Sequence, residues 1–307
     1  MTQLFEGIFA ATHTPMRPDG SLDLEAIPLQ VEHLLKTKVD GLFVCGTTGE
    51  FPSLTIQERR STAEAFVQAA SGRIPVIIHV GHDCLTDART LALHAADIGA
   101  DAAAAALPSY FTASDADTVV DCCIEISGGV PDLPFFYYHI PVMTHVQVAA
   151  SAVLLRAKER FPALAGLKFS SPVIDDFVAC LSVAPGRYSL MYGRDEMLLP
   201  ALAAGGRGAV GSTYNYATPL YQQMWRAHLN GEPETARVCQ SHIVAFVSIL
   251  HRFGGLRASK AVMKLVGADC GPVRLPLKPL TSKEDNDLQA ELSRIGFFDW
   301  RSGIGQA

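Results

Sequence analysis

One lysine in this chain stands where an amine can do chemistry. Of the eight lysines, only Lys168 lies in an apolar run, Leu164-Ala-Gly-Leu-Lys-Phe169; the others sit in polar, helical or proline-rich contexts. An amine drawn out of water loses preference for its charged form, so its pKa falls and its neutral fraction rises. A neutral amine attacks a ketone and forms a Schiff base. The competing reading is a lysine that neutralises a buried carboxylate or snorkels from a strand end. Tyr138 precedes Lys168 by 30 residues, about the length of one βαβ unit, which would end the two on adjacent strands. A phenol there can pass a proton to or from a hydroxyl or a carbinolamine. Its competing reading is a core aromatic. Alternation along a strand puts Phe136 and Tyr138 on one face and Phe135 and Tyr137 on the other.

A second constellation is Gly46-Thr-Thr-Gly-Glu50, two hydroxyls between two glycines. Glycine lets backbone N–H groups approach a ligand closely, and with Thr47 and Thr48 they would make an anion nest sized for a carboxylate. A tight turn with a helix cap uses the same residue types. The spacing is that of neither a P-loop nor a dinucleotide fingerprint. Asp195 and Glu196 are paired acids that could hold hydroxyls or work as acid and base, or simply start a helix. Metal-ligand spacing is absent around them, and no metal is expected. His13, His79, His82 and His139 read as satisfied structural or lining histidines, with His139 expected to line the site. Gly205-Gly-Arg-Gly208 reads as a turn into a strand rather than a nucleotide loop.

These residues need elements to hold them. Short apolar runs at 7–11, 41–45, 75–80, 102–107, 135–138, 166–169, 188–191 and 208–211 alternate with helical patterns. Continuous apolarity is expected of strands covered by helices on one face and a core on the other. Helices are expected over 24–36, from a Thr55–Glu58 capping box to Ala70, and over 86–98, 114–126 and 146–161. Eight βα repeats fit a closed (β/α)8 TIM barrel better than an open sheet. The expected organisation is a barrel over residues 1–230 and additional C-terminal helices, over 232–253, 256–266 and 283–295, in an extension 231–307 packed on it. In such a barrel the active site lies at the C-terminal strand ends, where the candidate residues fall.

Composition closes off other classes. The chain of 307 residues is 49% hydrophobic and 18% charged, which excludes disorder and coiled coil as the main state. A net charge of −6 offers no global attraction to nucleic acid or an anionic membrane. No apolar stretch is long enough for a membrane span, and the first residues lack the pattern of a signal peptide. Seven cysteines without a CxxC pair read as reduced thiols, so a cytoplasmic location is expected.

The pattern resembles a known family. Gly46-Thr-Thr-Gly-Glu50, Tyr138-His-Ile-Pro141, Gly166-Leu-Lys168 and Gly211-Ser-Thr-Tyr-Asn215 are similar to motifs of the pyruvate-dependent class I aldolases of the dihydrodipicolinate synthase and N-acetylneuraminate lyase superfamily. The resemblance runs from Gly7 to about Leu277. Ala11-Thr-His-Thr-Pro15 and Gly193-Arg-Asp-Glu196 draw it towards the lyase branch. It implies a lyase that cleaves N-acetylneuraminate through a covalent imine, needs no external cofactor, and assembles as a homotetramer. It implies Lys168 as the Schiff-base lysine, Tyr138 as the catalytic tyrosine, and Thr47 and Thr48 as the pair on the pyruvyl carboxylate. Ser170, Gly193, Asp195, Glu196, Gly211 and Ser212 match positions that hold the sugar hydroxyls and glycerol tail, and Tyr110 matches a lining tyrosine near a subunit contact. Ser170 replaces a threonine of bacterial lyases and keeps the hydroxyl. The synthases carry an arginine five residues after the catalytic tyrosine; here that position is Met143, which cannot grip a carboxylate bidentately. An aldolase or dehydratase for a 2-keto-3-deoxy sugar acid is the alternative expectation, and a non-catalytic sugar-acid binding protein a remote one.

Overall fold

The computed structural model describes residues 4–303; residues 1–3 and 304–307, the ends of the two expected units, lie outside them. Eight parallel strands close in sequence order, with β1 pairing both β2 and β8. Each strand leads to a helix. β1 (Gly7–Ala11) precedes α1 (Ile27–Lys36), β2 (Gly41–Val44) precedes α2 (Ile56–Ala70), and β3 (Val76–His79) precedes α3 (Leu85–Asp97). β4 (Ala102–Ala105) leads to α4 (Ala116–Ser127), and β5 (Phe135–His139) to the single turn α5 (Pro141–Thr144) and then α6 (Ala150–Arg160). β6 (Leu164–Phe169), β7 (Ser189–Tyr192) and β8 (Gly208–Gly211) precede α7 (Ile174–Val183), α8 (Leu198–Ala203) and α9 (Tyr214–Leu229). The chain continues through α10 (Pro233–Arg252), α11 (Leu256–Leu265), α12 (Ser282–Arg294) and the single turn α13 (Phe297–Trp300).

Strand alternation sorts the core into two compartments. Phe9, Phe43, Ile77, Ala102, Ala104, Phe136, Met191 and Val210 fill the barrel. Ile8, Leu42, Ile78, Phe135, Leu167 and Phe169 face the helices. Small residues sit beside large ones inside: a Cβ at Gly41 would overlap the Phe9 ring, and one at Gly166 would overlap Phe136 and the Ser189 carbonyl. Those two glycines therefore make room for phenylalanines that plug the barrel below its mouth.

The expected strands are all present, with ends moved by one or two residues. The Thr55 capping box forms as expected: Thr55 Oγ1 accepts from the Glu58 N–H and Glu58 Oε2 accepts from the Thr55 N–H. The sequence pattern assigns no element to 212–231, yet α9 occupies most of that span. Pro219 lies inside this helix and Ala217 is non-helical, so a kink and a run of tyrosines mask its period. A fourth C-terminal helix, α13, adds to the three expected.

The C-terminal segment is tied to the barrel by polar side chains. Lys260 on α11 forms a 2.7 Å ion pair with Glu50, with side chains only 2% and 1% exposed, and donates to the carbonyls of Thr14 and Pro272. The Arg274 guanidinium donates to the Gly20 and Ser53 carbonyls and both Glu58 carboxylate oxygens, while its backbone N–H donates to Glu50. Among the described residues, no helix is long and apolar enough to cross a membrane.

Candidate active site

β5 and β6 set two side chains abreast at the barrel mouth. Tyr138 and Lys168 are direct partners in the parallel ladder, and both point inward because alternation puts Tyr137 and Leu167 outside. Lys168 is 4% exposed. Its Nζ lies 3.9 Å from the Phe43 ring centroid and 4.1 Å from that of Tyr138. Aromatic faces favour the ammonium by roughly 0.5–2 kcal/mol. Burial acts the other way and prevails, bringing the pKa from 10.5 to about 7, with the Asp195 carboxylate holding it up against a further fall. A substantial fraction of the amine is thus neutral at physiological pH. Lys260 on α11 neutralises a different buried carboxylate, Glu50, and the sequence does not reveal its burial; Lys168 forms no ion pair within 4 Å among the described residues but feels the Asp195 carboxylate.

The Tyr138 hydroxyl lies 3.3 Å from Thr47 Oγ1, and its ring packs edge-on against His79 and Phe43. Burial raises its pKa, while its interactions with Thr47 and Ser170 oppose the rise, so it rests as a phenol. Thr47 and Thr48 stand in the loop after β2, and nothing among the described residues accepts either backbone N–H. The loop's positive φ values fall on Cys45 and Glu50, both at 57°, not on its glycines. Gly46 is needed for space, since a Cβ would press on Phe43 at 2.7 Å.

The opposite wall comes from β6, β7 and β8. Ser170 Oγ donates to the Gly193 carbonyl at 3.2 Å, and a Cβ at Gly193 would overlap that hydroxyl. The Asp195 carboxylate lies flat over Gly211, where a Cβ would overlap it. Asp195 Oδ2 accepts from the Thr213 N–H at 2.9 Å and from Thr213 Oγ1 at 2.6 Å. Burial raises the Asp195 pKa and these hydrogen bonds lower it. Glu196 is ion-paired with Arg194 beside it. Thr47, Thr48, Tyr138, Lys168, Ser170, Gly193, Asp195, Glu196, Gly211 and Ser212 all line one cavity of about 410 Å³. It reaches on to Met143 on one side and to His251, Leu256 and Ser259 of the C-terminal segment on the other.

Two residues expected to line the site fall outside it. His139 points to the helix layer, against Phe169 and the Tyr137 hydroxyl, as its odd position beside inward Tyr138 requires. Burial brings its pKa down to about 4. Tyr110 is 83% exposed and stacks edge-on with Phe111, itself 84% exposed, away from the cavity walls of this single chain. His79 does sit inside the barrel. Its Nε2 accepts from the Ala106 N–H, and burial together with Arg59 and Lys168 holds it neutral. Phe43, Thr213, Tyr216 and Ser259 also belong to the site or its support; Thr213 falls within the Gly211-Ser-Thr-Tyr-Asn215 motif and Tyr216 just after it, without a role assigned to either, and the sequence pattern singles out neither Phe43 nor Ser259. The inward alternation of β2 is the available signal for Phe43. Among the described residues, no group of three or more His, Cys, Asp or Glu could hold a metal ion.

The chain is similar to known proteins over most of its length. Residues 4–295 match the model of the dihydrodipicolinate synthetase family. An N-acetylneuraminate lyase of Rattus norvegicus is 38% identical over 300 residues, spanning 96% of this chain and 94% of its own. The solved N-acetylneuraminate lyase of Proteus mirabilis superposes with a TM-score of 0.93 at 36% identity, over 96% of this chain and 100% of that one. A dihydrodipicolinate synthase of Bacillus anthracis superposes at 0.89 with 26% identity, over 95% of this chain and 99% of that one.

Proposed function

The chain belongs to the dihydrodipicolinate synthetase family, and on that footing we propose that it catalyses the reversible aldol cleavage of N-acetylneuraminate to N-acetylmannosamine and pyruvate. The observation that carries the reading is a buried amine with its pKa near 7 set beside a buried phenol at one ladder position.

Lys168 Nζ attacks the C2 ketone of the open-chain sugar acid and loses water to give an iminium. The iminium accepts the electron pair of the C3–C4 bond as that bond breaks. Tyr138 takes the C4 hydroxyl proton while passing its own to the substrate carboxylate, a relay suited to a phenol that burial keeps protonated. N-acetylmannosamine leaves; the enamine is protonated at C3, and water hydrolyses the imine to release pyruvate and free Lys168. In this scheme Thr47, Thr48 and their backbone N–H groups hold the carboxylate. Ser170, Asp195, Glu196 and Ser212 hold the hydroxyls and tail. Gly193 and Gly211 leave space for the Ser170 and Asp195 side chains. The imine itself is the electron sink, so the reaction calls for no added cofactor.

The Asp195–Glu196 pair in the cavity wall, with Ser170 and Ser212 beside it, favours a long polyol tail over a shorter 2-keto-3-deoxy sugar acid. Met143 in the wall offers no cation for a second carboxylate of the kind the synthases grip. The assembly proposed is a homotetramer, supported by the bare Tyr110–Phe111 pair at the mouth. A cytoplasmic location is part of the same reading, supported by seven unpaired cysteines.

The test is pyruvate release from N-acetylneuraminate and from a panel of shorter 2-oxo acids, beside borohydride trapping of pyruvate on the protein. Release from N-acetylneuraminate, a mass increment on Lys168 and neither in Lys168→Ala are expected. Trapping with cleavage of only the shorter acids would move the assignment to another aldolase. No adduct at all would leave a binding protein.

A further inference from the structure

From Thr213 in the cavity wall a chain of hydroxyls runs back to Tyr221, and the imine chemistry does not use it. Thr213 Oγ1 stands 2.6 Å from Asp195 Oδ2 on one side and 2.6 Å from the Tyr221 hydroxyl on the other. Thr213 Oγ1 donates its one proton to Asp195 Oδ2, so it must accept from the Tyr221 hydroxyl. Tyr221 lies eight residues on, along α9, and is fully buried between Tyr214 and Phe246. Its hydroxyl therefore has little freedom to turn elsewhere. The Thr213 backbone N–H makes a second bond to the same Oδ2. Oδ2 is thereby saturated, and no protein donor among the described residues reaches Oδ1. The carboxylate is thus pinned through Oδ2, while Oδ1, the oxygen nearest Gly211 in the cavity wall, takes no bond from the described residues and is left for a ligand donor.

We propose that Thr213 and Tyr221 are positioning residues that orient the Asp195 carboxylate and so set the grip of the site on the hydroxylated tail of its 2-oxo acid substrate. This rests on the sugar-acid reading of the cavity. The relay acts on a carboxylate remote from the bonds being made and broken, so its loss weakens binding of the polyol more than it slows the imine chemistry. A hydrogen bond to a charged group is worth roughly ten-fold or more in affinity.

The experiment compares Thr213→Val, Thr213→Ser and Tyr221→Phe in the full-length protein. Each is read by borohydride trapping of pyruvate on Lys168 and by KM and kcat for N-acetylneuraminate. Thr213→Val is expected to raise KM about ten-fold with kcat changed less than about three-fold and pyruvate trapping intact. Thr213→Ser keeps the hydroxyl and is expected to restore KM; Tyr221→Phe is expected to give an intermediate rise. Unchanged KM in both Thr213→Val and Tyr221→Phe overturns the proposal. So does a loss of pyruvate trapping equal to the loss of cleavage, or a failure of Thr213→Ser to rescue. If Thr213→Val does not fold, the Tyr221→Phe and Thr213→Ser pair decides alone. Wild type that traps pyruvate but leaves N-acetylneuraminate intact rejects the substrate reading only. The same KM comparison is then made on whichever polyol-bearing 2-oxo acid it cleaves.

Discussion

An amine brought from 10.5 to about 7 by burial links chemistry and stability with opposite signs. In the proposed reaction the neutral form is the nucleophile, so the rate of pyruvate imine formation, followed by reductive trapping, is expected to rise with pH through about 7 and then level. The unfolded chain binds a proton at this lysine up to its ordinary pKa, whereas the folded chain gives it up near 7. The resulting penalty on stability is full below pH 7 and fades as pH rises towards 10.5. Lys168→Met is thus expected to abolish turnover yet add a few kcal/mol of stability at pH 7, since each tenfold change in an ionisation constant is worth about 1.4 kcal/mol. Thermal melts at pH 6, 8 and 10 check this; a gap from wild type that did not narrow by pH 10 would contradict it. Lys168 is legible in the sequence because its burial is written in its neighbours along one strand. Lys260 is not, since its environment is made by Glu50, Thr14 and Pro272, which come from distant parts of the sequence.

Strand ends are readable to within two residues because parallel barrel strands are short, apolar and bounded by turn residues. Helix α9 escapes because Pro219 and the break at Ala217 interrupt its period. The loop carrying Thr47 and Thr48 shows how an element borrows order from outside itself. Its last residue, Glu50, is held in left-handed conformation by Lys260 and the Arg274 backbone N–H. Lys260→Met leaves that carboxylate buried without its cation. The expected loss is about 3–5 kcal/mol, with a raised KM for substrate as the loop loosens. Adding Glu50→Gln is expected to recover much of the stability, because it removes the stranded charge. Equal melting temperatures for the single and double variants would show that the pair is not coupled.

For the whole molecule, Tyr110 and Phe111 are the exposed aromatic pair on which the proposed assembly rests. Two neighbouring aromatics more than four-fifths exposed are expected to be covered by another copy. Replacing both with serine is expected to lower the mass found by light scattering; an unchanged mass places the contact elsewhere. Arg274 holds Glu58 at a pKa of about 2, well under its usual 4.5. Their bond therefore stabilises fully above pH 4.5 and is lost as pH falls towards 2, a contribution of about 1–2 kcal/mol for groups this partly screened. Arg274→Ala is expected to lower stability at pH 7 and to flatten its decline between those pH values, as urea titrations would record. That one guanidinium fastens Gly20, Ser53 and Glu58 to a stretch beyond α11 also bears on how the polypeptide can be shortened. The buried flank of α9 rests on Phe246 and Phe297. A gene truncated after residue 230 would code for a sticky, insoluble product, and a protease nick near residue 275 would inactivate the enzyme instead of trimming off a spare appendage.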